Sequence, residues 1–163
     1  MALIVQKYGG SSVADVECLR RVARRVSDRA IGLVLGGGGA RGFAHVGVLR
    51  ALEEAGIEVD MVGGTSIGSV ISAGLAADIS IPRMHELAQT FASPKKLLDR
   101  TLPVTSLMAG RKVTNLYREL FGERALEDLW MPCFGVSSGL SRASAVIHRR
   151  GPVWKMVRAS TAL

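Results

Sequence analysis

The sequence predicts an α/β domain built on a parallel sheet, and three observations carry that prediction. Apolar runs at Ile31–Leu35 and Val59–Val62 alternate with stretches long enough to be helices, the order that gives βαβ units with right-handed crossovers. Each run is followed by a glycine-rich turn, Gly36–Gly42 after the first and Gly64–Gly68 after the second. In an open parallel sheet these carboxyl ends of strands are where ligands bind. The chain has 163 residues, 48% hydrophobic and 21% charged, which is one domain's worth with a core to bury.

Taken in order, Ala2–Val5 reads as a short strand ending at Lys7-Tyr8-Gly9-Gly10, after which Ser11 or Ser12 can cap a helix. In that helix Leu19, Val22, Ala23 and Val26 recur at helical spacing, with Arg20, Arg21, Arg24 and Arg25 on the other side, an amphipathic pattern. Ile31–Leu35 is apolar throughout, as expected of a strand buried on both faces. A helix is expected over Phe43–Ala55, with Val48, Leu52 and Ala55 lining one side and Gly56 placed to end it. Val59–Val62 is the next strand and Ile67–Ala77 the next helix, rich in small residues that allow close packing on the sheet.

Beyond Ile81 the pattern is looser. Pro82–Phe91 reads as a helix, and Leu97–Gly110 as a flexible cover over the site. Lys112–Phe121 is a helix with Val113, Leu116, Tyr117 and Leu120 on one face, and Ala125–Leu129 a short turn or helix. Cys133–Ser137 and Ala143–His148 are strands of a hairpin around Gly139 and Ser141. Pro152 starts a last helix through Ala162.

The formal charge of +7 is concentrated near the two ends of the chain. Such a surface can attract anionic lipid, and solvated helix faces are the ordinary explanation. No interleaving of aromatic and basic residues points to nucleic acid. Cys18 and Cys133 lie far apart with no C-x-x-C, which suits a reducing compartment and excludes a disulfide framework or zinc site. The start lacks the order of a signal peptide, and no run reaches the roughly 20 apolar residues of a membrane span. A cytoplasmic protein is expected, with peripheral contact to anionic membranes open to it.

The chemistry concentrates in the two glycine turns. Gly64-Thr65-Ser66-Ile67-Gly68 matches G-x-S-x-G, with a predicted strand before and a helix after it. That is the context of a nucleophile elbow, where a tight turn exposes a serine hydroxyl beside a helix N-terminus. The other turn, Gly36-Gly37-Gly38-Gly39-Ala40-Arg41-Gly42, has three readings. Gly37-x-Gly39-x-x-Gly42 matches a dinucleotide fingerprint, but the acid expected at the far end of the next strand is replaced by Thr65-Ser66, and Asp60 lies at the near end. A P-loop fails, since no Lys-Ser or Lys-Thr follows. The third reading is an oxyanion hole, whose backbone N–H groups would stabilise a tetrahedral intermediate. The histidines His45, His85 and His148 are the candidates for a base in a serine–histidine arrangement.

The two turns together, Gly-Gly-Gly-Ala-Arg-Gly, one helix, one strand, then Gly-Thr-Ser-Ile-Gly, resemble the patatin-like phospholipases. The branch that includes the bacterial enzymes and neuropathy target esterase is the most similar, over Leu35–His45, Val48–Gly56, Asp60–Ser69, His148–Pro152 and Val157–Ser160. The resemblance implies a three-layer parallel-sheet fold and a serine lipid acyl hydrolase, a phospholipase, lysophospholipase or esterase, with no metal and no cofactor. It implies Ser66 as the nucleophile, Gly37, Gly38, Gly39, Ala40, Arg41 and Gly42 as the oxyanion-hole loop, and Gly64, Thr65, Ile67 and Gly68 as the elbow around the serine. In that family an aspartate in an Asp-Gly-Gly or Asp-Gly-Ala motif activates the serine, beyond the Arg-Ala-Ser helix. Here the chain ends at Leu163, and none of its six aspartates precedes a glycine. A carboxyl-truncated domain with low or no turnover is therefore expected, with a sheet edge or apolar face left uncovered. The alternatives are a non-catalytic lipid-binding fragment of that fold or a nucleotide-binding protein. Residues 1–26, through Lys7-Tyr8-Gly9-Gly10-Ser11-Ser12-Val13, resemble instead the opening of aspartokinases. The expected organisation is an aspartokinase-like strand–helix segment over 1–30 and a partial patatin-like domain over 31–163.

Overall fold

A computed structural model describes residues 16–27, 29–91 and 111–162. Within them the elements run α1 (Val16–Val26), β1 (Gly32–Leu35), a 3₁₀ turn (Gly39–Phe43), α2 (Ala44–Glu54), β2 (Met61–Thr65), α3 (Ile67–Ala76), α4 (Ile81–Phe91), α5 (Arg111–Phe121), a 3₁₀ turn (Leu126–Asp128), β3 (Cys133–Gly139), a 3₁₀ turn (Leu140–Arg142), β4 (Ser144–His148) and α6 (Val153–Ser160). The strand expected at Ala2–Val5 and the cover at Leu97–Gly110 lie outside the described residues.

The sheet has the order β1-β2-β3-β4. The first three strands are parallel, and β4 returns antiparallel as the second arm of the expected hairpin. Register and pleat divide the side chains between two faces. Leu35, Gly64, Gly135 and His148 are partners along one row, and Val34, Gly63 and Phe134 along the next. The first face is covered by helices. A Cβ on Gly64 would stand 2.8 Å from the Ser69 nitrogen of α3, and one on Gly135 2.8 Å from Met156 Cγ of α6 and closer still to its sulfur. Under those helices lies a core that includes Val62, Val70, Tyr117, Phe121, Val153 and Val157. A second cluster joins Leu35, Val46, Leu49, Ile71 and Met84.

Four expectations are corrected. Among the described residues β1 lies at an edge of the sheet with only one covered face: Val34 is 70% exposed, because no described helix lies over its row. β2 is displaced from Val59–Val62 to Met61–Thr65. Its glycines look like turn residues, yet they sit between two paired strands and are filled from above and below by α3 and the Phe134 ring. α2 buries Val46 and Leu49, not Val48, Leu52 and Ala55. The helix offers two apolar edges, and the one facing Leu35 and Ile71 is used.

The fourth correction concerns α1, whose apolar stripe does not face the protein. Of that stripe Leu19 and Val26 are 49% and 69% exposed, Ala23 is exposed and only Val22 is half-buried. The arginine side turns inward instead. Arg24 Nε donates to Asp60 Oδ1 at 2.8 Å, Arg24 also pairs with Glu58, and Arg25 donates to the Asp60 carbonyl at 2.9 Å. Asp60 is fully buried, and its other oxygen accepts the Ile31 N–H at 2.9 Å. A buried carboxylate demands partners more strongly than a short apolar stripe demands cover, so the charge sets the orientation of the helix. Arg24 and Arg25 are thus structural rather than solvated.

A serine elbow at the carboxyl edge of the sheet

Both glycine turns reach the same edge. β2 ends at Thr65, Ser66 makes the turn, and α3 begins at Ile67. Ser66 has φ 52° and ψ −127°, a backbone that costs a residue bearing a side chain on the order of 1–3 kcal/mol. The surrounding contacts hold it there. Gly64 and Gly68 have no side chain at the positions where strand and helix cross. A Cβ on Gly68 would stand 2.6 Å from the Gly36 carbonyl and closer still to that of Leu35. The Ser66 carbonyl accepts the Ser69 N–H at 2.9 Å and the Ser69 hydroxyl at 2.6 Å. Its own N–H donates to Ser160 Oγ at 2.8 Å, and Ser160 Oγ donates onward to the Val136 carbonyl at 2.5 Å. The last turn of α6 therefore ties the elbow to β3. Sequence reasoning assigned Ser160 no role; its only signal was its place in the Arg-Ala-Ser match.

The Ser66 side chain does not cap α3. Its hydroxyl stands beside the positive end of a ten-residue helix. The first glycine turn packs against it: a Cβ on Gly37 would lie 3.3 Å from Ser66 Cβ. Gly38 and Gly39 have φ 154° and 55°, conformations that glycine adopts at little cost. Gly42 is buried against Ile67, while Ala40 and Arg41 are exposed. Leading N–H groups of such a turn lack partners within it, so this loop can present backbone donors beside Ser66.

The three histidines are engaged elsewhere. His45 Nε2 meets the Gly36 carbonyl at 2.9 Å, fastening α2 to the start of the glycine loop. His85 meets Gln89 on α4 at 3.1 Å, and His148 meets Ser137 Oγ at 2.7 Å. Among the described residues no carboxylate and no imidazole is hydrogen-bonded to Ser66 Oγ. Asp60 and Asp78 lie at the opposite edge, before β2 and after α3. Asp60 is there committed to α1, far from the position a ribose-binding acid would need. No group of three His, Cys, Asp or Glu among the described residues is disposed to hold a metal. No helix among them is long and apolar enough to cross a membrane. An apolar groove runs beside α3 toward α4 and α5, lined by Phe43, Val70, Gly74, Met84, Leu87 and Leu120.

ExoU, a type III effector protein of known crystal structure, aligns over 82% of this chain and 39% of its own, with a TM-score of 0.56 and 17% identity. VipD from Legionella pneumophila aligns over 54% of this chain and 16% of its own, with 31% identity and a TM-score of 0.46. Patatin-like phospholipase domain-containing protein 6 of Mus musculus is 44% identical over 148 residues, 88% of this chain and 11% of the relative. Neuropathy target esterase sws of Drosophila melanogaster is 41% identical over the same length, 10% of its own. The chain thus spans about a tenth of the length of these curated relatives. The family model described as patatin-like phospholipase matches residues 33–163, and the chain belongs to that family.

Proposed function

We propose that this domain is a serine hydrolase of lipid acyl esters, with Ser66 as the nucleophile. The observation that carries the reading is the strained Ser66 turn, its hydroxyl uncapped and the Gly37 backbone packed against it. Strain at a residue whose side chain has no structural task points to function. In the reaction Ser66 Oγ attacks the ester carbonyl carbon, and the carbonyl oxygen gains negative charge. N–H groups of Gly37–Gly39 and of Ile67, with the α3 N-terminus behind them, stabilise that oxyanion. Collapse breaks the bond to the alkoxy oxygen, which leaves as the alcohol with the proton given up by the serine, and the acyl-enzyme that remains is hydrolysed by water to the free acid and Ser66.

The general base is none of the described aspartates, and no Asp-Gly pair occurs in the 163 residues. Slow or stoichiometric reaction is therefore expected, read best with an activated probe. A fluorophosphonate followed by intact mass should add one label to the protein and none to Ser66→Ala. Equal labelling of the two would refute the assignment. That the Ser66 hydroxyl has no carboxylate or imidazole partner among the described residues also favours a second reading, a lipid-binding domain without turnover. A folded protein that binds lipid vesicles and takes no label is its mark.

A further inference from the structure

We propose that the β3–β4 hairpin tip, Leu140-Ser141-Arg142, is an anchor that docks the carboxyl edge of the sheet onto an anionic lipid surface. The inference builds on the lipid-substrate reading and names the physical state in which the substrate is met. The strand register places the tip. Thr65, the last residue of β2, pairs with Val136, and β3 runs on through Ser137, Ser138 and Gly139 before turning. Three further residues at about 3.3 Å each carry the hairpin roughly 10 Å past the Ser66 turn. At its summit Leu140 is 93% exposed, more than any other large apolar side chain among the described residues. Ser141 and Arg142 beside it are exposed as well, and Ala143 closes the turn at φ 47°. A leucine at the end of a projecting hairpin does nothing for the fold, and in water it is a liability.

Charge argues for the identity of the partner. The described segments that form this edge are 36–43, 65–66, 137–143 and 158–162, and they contain no Asp or Glu. They do contain Arg41 on the glycine loop, Arg142 on the hairpin and Arg158 in the last turn of α6. The carboxylates gather at the opposite edge: Glu53 and Glu54 close α2, Glu58 and Asp60 precede β2, Asp78 follows α3, and Glu127 and Asp128 precede β3. Arg41 and Arg142 lie to either side of Ser66 and form no salt bridge among the described residues. An aliphatic tip between cations, on the edge that bears the nucleophile, matches a layer of lipid phosphates over an apolar interior. Neutral protein surfaces and free phosphate each match only half of it.

Co-sedimentation with large vesicles tests this without turnover, so it stands apart from whether Ser66 reacts. The chain should bind phosphatidylcholine vesicles containing phosphatidylglycerol, and bind less as salt is raised, since surface charge is screened. Phosphatidylcholine alone should retain little. Each arginine at an anionic surface contributes about fivefold to binding, so Arg142→Gln should weaken partition by about that factor. Leu140→Glu should weaken it at least about tenfold, from the lost apolar burial. Ser66→Ala should bind as the parent does. Val34→Thr removes another exposed apolar residue, on the sheet face away from the tip, and should also leave binding intact. Leu140 makes almost no contacts, so its loss leaves the fold in place, which circular dichroism verifies. Parental binding by Leu140→Glu, equal binding to neutral vesicles, or equal damage from Val34→Thr would overturn the proposal.

Discussion

The two faces of this one sheet use the same residue type to opposite ends. On the covered face Gly64 and Gly135 lack side chains so that whole helices can come close: α3 backbone over the first, Met156 of α6 over the second. On the other face Gly63 lacks one so that the Phe134 ring of the adjacent strand can lie in its place. Val34, Met61 and Ile147 on that face remain 70%, 39% and 54% exposed. Covering a face is thus what fixes the elbow: Ser66 keeps its strained turn because α3 cannot move away from β1 and β2 without losing a core packed backbone to backbone. On the other face the described residues contribute to the site only the Thr65 hydroxyl, which donates to the Val136 carbonyl at 3.4 Å.

That contrast can be broken most severely at the crossing itself. Gly68→Ala sets a methyl group against the carbonyls of Leu35 and Gly36, and neither can yield without moving β1. Overpacking of this kind costs about 3 kcal/mol or more, so the variant should be insoluble or lose most of its denaturation midpoint in urea. A variant with an unchanged midpoint would mean that α3 is not held against β1.

Next in size comes Ser160→Ala. It leaves the Ser66 N–H without its acceptor, and an unsatisfied buried donor costs about 1–3 kcal/mol. The free energy of unfolding should fall by that amount, and fluorophosphonate labelling of Ser66 should slow. Ser160→Thr keeps the hydroxyl and should recover the labelling rate. Loss of stability with no change in labelling rate would make Ser160 a packing residue only.

Cys133 tests the covered face by pH. Burial under the helices pushes its thiol from 9.0 up to about 12, so the folded state resists forming the thiolate more than the unfolded state does. The sign follows: stability is fully present below about pH 9 and is lost as pH rises from there toward 12. Iodoacetamide at pH 8 should modify Cys133 slowly in the native protein and quickly in urea. Comparable rates in both would show the face to be open. The smallest effect belongs to the other face. Val34→Thr keeps the branched strand-forming shape, and at 70% exposure it should change the free energy of unfolding by under about 0.5 kcal/mol.

Legibility in the sequence divides along the same line. The β2–Ser66–α3 unit could be read because its cues are local: an apolar run, a five-residue motif and a helix of small residues, contiguous in the chain. The limits of β2 were misread because glycines signal turns in sequence, while here they answer to neighbours supplied by other segments. The inward face of α1 could not be read at all. It depends on Arg24 meeting a carboxylate 36 residues away, and helical spacing alone offered the apolar stripe as the better candidate. Ser160 bonds to a nitrogen 94 residues earlier, a relation that no local pattern carries. The open face of β1 was hidden for a related reason, since an unbroken apolar run looks the same at the edge of a sheet as at its centre.

The grip on α1 has a consequence for how the first two strands are aligned. Arg24 holds the buried carboxylate of Asp60 and pairs with Glu58, while Arg25 holds the Asp60 backbone carbonyl. The second carboxylate oxygen of Asp60 holds the Ile31 N–H, just before β1. One residue is thus a clasp between three segments, so a change at Arg24 is felt where both strands begin.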